Sequence, residues 1–179
     1  MYFVFDVEAL GLYGLGFSVG WVVVDDHGKE HDEGYLACPY HEALHSGTDP
    51  DDVKWVEENV LPHLPDPNCE ALPHLYDRFW EHWMRWKEAG ATMVADCVYP
   101  VEANFLRACV MNNRDRKWEA PYPLIDLAGV LLAKGYDPIG SFGRTEDELP
   151  EHQPVNDARQ SARVLIQALE GTLDTPKDS

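Results

Sequence analysis

The chain has 179 residues, 45% hydrophobic and 11% aromatic, which fits one domain with a sizeable core and excludes an intrinsically disordered chain. With 32 acids against 14 Lys and Arg, the net charge of −18 excludes a protein that holds long nucleic acid on a basic surface. Divalent ions reverse the local sign of a carboxylate cluster, so phosphate chemistry stays open.

In chain order, "YFVFDVEAL" (2–10) reads as a strand whose alternation puts Asp6 and Glu8 on one side and Phe5 and Val7 on the other. Two unpaired buried carboxylates are costly, so the strand needs a cation, strong donors or an exposed end. The glycine-rich "ALGLYGLG" is a turn, "FSVGWVVVDD" a second strand, and "DDHGKE" a hairpin turn into "EGYLACP" as a third.

Residues 50–61 predict a helix with Asp in its first turn and Pro62 at its end. Leu75, Phe79, Trp83 and Trp86 repeat at helical spacing within 70–88 and predict a long amphipathic helix. "ATMVADC" (91–97) is a strand, 100–111 a helix, "YPLIDLAGVLLAKG" a short strand running into a helix ended by Gly135, and 155–170 the last helix. A hairpin set followed by strands alternating with helices predicts an α/β fold with a mixed five-stranded sheet and flanking helices.

No linker or repeat divides the chain, so 1–173 is read as one domain and 174–179 as a flexible tail. No run approaches about 18 apolar residues and the N-terminus lacks a basic leader, so a cytoplasmic protein without a membrane partner is expected. Cys38, Cys69, Cys97 and Cys109 fall in no C-x-x-C pair, which favours reduced thiols over disulfides or a zinc ribbon.

Acids recur at two further places. Asp96 closes "TMVAD", at a strand end where α/β sheets place functional groups. In "ELPEHQPVNDARQSARVL", His152 sits in a loop and Asp157 in the first turn of the last helix. The ordered set Asp6-x-Glu8, Asp96, His152-x-x-x-x-Asp157 resembles the three motifs of the DEDDh 3′–5′ exonucleases of the RNase H-like superfamily. "FDVEALGLYG", "VADCVYPVEANFL" and "HQPVNDARQSA" carry it over almost the whole chain. "WVEENVLPHLP" (55–65) is similar to the corresponding stretch of small RNase AS-type exoribonucleases, which points toward RNA. Val94 and Ala95 stand where the second motif commonly has Asn and an aromatic, and no Thr-Thr or Ser-Thr follows Glu8.

The resemblance implies an RNase H-like fold and hydrolysis with two Mg²⁺ or Mn²⁺ ions, which clamp attacking and leaving oxygens and prefer carboxylate ligands. It makes Asp6 the bridging ligand, places Glu8 and Asp157 on the ion that orients water and Asp96 on the other, and makes His152 the general base. The backbone of Ala9 and Leu10 and the side chain of Leu12 would seat the 3′ nucleotide of a short single strand. The rival readings are a noncatalytic nucleic-acid-binding relative and a zinc peptidase centred on "HEALH" (41–45). The latter is rejected because Pro39 and Gly47 leave no room for the helix that motif requires.

Trp80, Trp83 and Trp86 are read as core or a subunit contact, the latter making a homodimer plausible. "NNRDRKW" (112–118), with Arg114, Arg116 and Lys117, is a solvated loop or a phosphate track. Arg159 and Arg163 either pair with acids or line the cleft.

Overall fold

A computed structural model describes residues 1–174; of the tail expected at 174–179, all but Asp174 lies outside the described residues. Strand β1 (Tyr2–Ala9) pairs antiparallel with β2 (Gly16–Val24), which pairs antiparallel with β3 (Glu30–Ala37). On its other edge β1 runs parallel to β4 (Thr92–Ala95), and β4 parallel to the two-residue β5 (Ile125–Asp126). The order β3-β2-β1-β4-β5 is a mixed five-stranded sheet, the arrangement expected of an RNase H-like α/β fold. Five helices flank it: α1 (Pro50–Asn59), α2 (Leu72–Glu88), α3 (Val101–Asn112), α4 (Leu127–Lys134) and α5 (Pro154–Glu170). Among the described residues no helix is long and apolar enough to cross a membrane.

The pleat of β1 divides the core. Phe3, Phe5 and Val7 point to one face, where they join Trp21, Leu75, Phe79, Trp83 and Phe105 under α2 and α3. Phe79 sits at the centre of this cluster, 6.0 Å from the Phe3 ring and 5.1 Å from Phe105, both edge-on. Val4 points the other way, packing with Val22 and Val94 against Leu127 and Leu131 of α4 and Ala158, Ala162 and Leu165 of α5. Asp6 and Glu8 share the Val4 face by alternation, so they lie under α5.

The approach of α5 depends on Gly20, the β2 residue opposite Asp6. A Cβ there would fall 2.3 Å from the Val155 amide nitrogen and 2.4 Å from the Pro154 carbonyl carbon. The first turn of α5 therefore rests on bare backbone, which lowers Asp157 toward β1. The predicted helix end at Gly135 is found, with φ +83°, a left-handed conformation that glycine adopts without steric cost.

The tryptophan stripe of α2 is consumed within the chain. Trp80 and Trp83 are buried, and the Trp86 indole N–H donates to Asp32 Oδ2 at 2.7 Å. The stripe thus packs mostly within the chain, as the core reading expected.

Candidate metal centre

Two strand ends and one helix start build the site. Asp6 and Glu8 come from β1, Asp96 follows β4, and His152 and Asp157 flank the start of α5. The β1–β2 register shifts between Glu8 and Ala9, an irregularity of the kind that re-aims a side chain at the end of a strand. Among the described residues, Glu8, His152 and Asp157 gather their ligand atoms within 4.8 Å of one another.

The carboxylates feel each other strongly. Burial raises the Asp6 carboxyl well above its ordinary range, and the charges of Glu8, Asp157, Glu102 and Asp96 add to the rise. Glu8 is pushed up to about 7 by burial and by Asp157. Asp96 is raised by burial and then by Asp126 and Asp157, with Arg144 opposing. Asp157 is also raised by burial, against the pull of Arg144 and His152. Such a cluster stays ionised at low cost only when cations join it.

Arg144 is the protein cation closest to this need. Its Nη1 lies 2.6 Å from Asp157 Oδ1 and its Nε 3.4 Å from Glu151 Oε1, while Nη1 also donates to the Glu148 carbonyl at 3.0 Å. The alignment gives an ion pair rather than a hydrogen bond, for the buried Asp157 Oδ1 accepts none. A carboxylate oxygen held by one ion pair within a set of hard oxygen donors fits Mg²⁺ or Mn²⁺; the single imidazole gives no preference for zinc.

His152 has φ +60°, uncommon for a residue with a side chain, and its ring meets Trp55 of α1 edge-on at 5.3 Å. His152 lies in the expected loop, between Pro150 and Pro154, with its imidazole half-buried and braced by the indole.

Beside Glu8 lies a cleft of about 250 Å³ lined by Ala9, Gly11, Leu12, Asp52, Trp55 and Val101. Ala9 and Leu12, expected to seat a terminal nucleotide, are among its lining residues. Leu10, whose backbone was expected to join them, is not in the lining: its side chain is buried in the core, and its N–H donates to the Leu15 carbonyl at 3.3 Å. A second cleft of about 410 Å³ opens by Asp96, Arg144 and Gln160.

Sequence reasoning missed three neighbours of the acids. Glu102, in the first turn of α3, is only 7% exposed, and burial raises it to about 8 despite backbone hydrogen bonding, with Asp96 and Glu8 adding to the rise. Its signal was an acid at a helix start directly after the second motif, a position that ordinary helix-dipole preference also explains. Trp55 was visible in "WVEENVL" but not tied to the site. Arg144, in "GSFGRTE", carried no pattern at all.

Three other arginines are spent elsewhere. Arg116 is buried against Asp77 at 2.7 Å and over the Trp80 ring, so it holds the 112–118 loop rather than a phosphate. Arg159 pairs with Glu30 and Glu33, and Arg163 with Glu148, which settles the choice left by the sequence in favour of ion pairs. "HEALH" forms a four-residue 3₁₀ turn, Tyr40–Ala43, too short to set His41 and His45 on one helical face. The chain matches no family model and no curated protein.

Proposed function

We propose that this protein is a metal-dependent 3′–5′ exonuclease acting in the cytoplasm on the 3′ end of short single-stranded nucleic acid, RNA in preference to DNA, and releasing nucleoside 5′-monophosphates. One observation carries the reading: acids and a histidine spaced through the chain as in the DEDDh motifs converge on one mutually repelling cluster, half-buried except for the exposed Asp96. All of these groups come from a single chain.

Asp6, Glu8, Asp96 and Asp157 are the residues that would hold two Mg²⁺ or Mn²⁺. Bound there, such ions supply charge neutralisation at the phosphate and acidify water. The chain's own groups do the rest. His152, braced by Trp55, is placed to take the proton of the attacking water. Leu12 and Trp55 offer apolar faces to the terminal base across the cleft beside Glu8. Arg144, paired with Asp157 and Glu151, would hold the acid side of the site rather than the phosphate.

The test is hydrolysis of a 5′-labelled single-stranded RNA in Mg²⁺ or Mn²⁺, with a matched DNA in parallel. A ladder shortening from the 3′ end, lost in both Asp6→Asn and Asp157→Asn, is the expected result. Activity retained in either variant defeats the assignment, and binding without turnover in Mn²⁺ favours the noncatalytic relative.

A further inference from the structure

Two exposed aromatic side chains meet each other beside the strand ends that carry the site. Tyr13 lies in the β1–β2 loop and Tyr99 in the β4–α3 loop, and their rings meet at 6.4 Å between centroids with an interplanar angle of 66°. They are 72% and 66% exposed, so the contact leaves most of both surfaces in water. Their loops leave the ends of adjacent parallel strands, the ends that bear Glu8 and Asp96. The chain neighbour Leu12 and the nearby Val101 line the cleft that Trp55 closes on its other side.

Charge narrows what such a surface could hold. A single strand usually binds by phosphate contacts to cations and by stacking on aromatic faces. Here the first resource is scarce: Arg144 is engaged by Asp157 and Glu151, and Arg116, Arg159 and Arg163 by other acids. Stacking tolerates any base and needs no cation, and it suits an aromatic patch continuous with the cleft.

Resting on the exonuclease reading, we propose that Tyr13 and Tyr99 form a stacking platform for the nucleobase preceding the 3′-terminal one, so that the strand is held by aromatic faces more than by charge. The site then recognises at least two nucleotides and accepts a very short strand as well as a longer one. Its binding depends weakly on salt.

The experiment compares fluorescein-labelled oligoadenylate trimers with 5′-AMP as a competitor, in Ca²⁺ to hold turnover, over a range of salt. Tyr13→Ser and Tyr99→Ser are each expected to weaken trimer binding about tenfold or more while leaving competition by 5′-AMP unchanged. Tyr99→Phe is expected to retain binding. Trp118→Ser serves as control, since Trp118 is 85% exposed beside a separate cleft at Thr92 and Met93. The wild-type slope of log affinity against log salt should be shallower than about −1.5, as for roughly two neutralised phosphates. Trimer binding unchanged in both Ser variants, or an equal loss for trimer and 5′-AMP, overturns the platform while hydrolysis in Mg²⁺ upholds the enzyme. A wild type that neither binds the trimer nor hydrolyses it overturns both. All of these side chains are exposed, so the variants should melt with the wild type, which thermal unfolding verifies.

Discussion

The two faces of β1 are built from the same eight residues and do opposite things. On the α2–α3 face, Phe3, Phe5 and Val7 enter an aromatic cluster in which every neighbour adds stabilisation. On the α5 face, Val4 begins a similar apolar contact, but Asp6 and Glu8 replace it with like charges that burial makes costly. One side of a strand can therefore anchor a fold while the other bears a site that the fold has to tolerate.

The largest stability effect should come from the anchoring face. Phe79→Ala removes a ring touching Phe3, Phe5, Trp21 and Phe105 and should cost about 3–5 kcal/mol in urea unfolding. A loss under about 1 kcal/mol would contradict the central place given to that cluster.

Gly20→Ala should cost less, about 1–3 kcal/mol, because the start of α5 must lift to admit the methyl group. It attacks the comparison from the other side. Lifting α5 carries Asp157 away from Glu8, so divalent-ion affinity, followed by calorimetry, should fall along with stability.

The smallest effect concerns pH. Glu8 and Glu102 are raised to about 7 and about 8, so the folded state holds protons that the unfolded chain releases nearer its ordinary range. Stability without divalent ions should then fall as pH rises from about 4.5 through 8, the sign opposite to that of a salt-bridged carboxylate. Added Mn²⁺ should raise the melting temperature by a few degrees more at pH 8 than at pH 5, on the scale of about 2–4 °C per kcal/mol. Equal shifts at both pH values would show that the ion does not relieve this repulsion.

How far the site could be read in advance varied residue by residue. Asp6 and Glu8 were legible as a pair because strand alternation is local and has period two. Asp96 and Asp157 were legible as ends of elements, through an apolar run and a proline-led helix start. Glu102, Trp55 and Arg144 were not. An acid in a helix's first turn, a tryptophan on a short helix and an arginine in a loop have common local explanations, and only their convergence gives them another role. The stripe of Trp80, Trp83 and Trp86 was legible as a helix face, but what it faced was not.

The sequence by itself determined the alternation of β1, the amphipathic α2, the helix stop at Gly135 and the face shared by two acids, because these follow from backbone periodicity and φ preference within a few residues. The tertiary structure decided which side of the sheet α5 covers, that bare backbone at Gly20 lets it descend, and which cation meets Asp157. Those outcomes depend on tertiary contacts, the seat of α5 on Gly20 spanning more than a hundred positions, where close packing and burial act and local propensity has no reach.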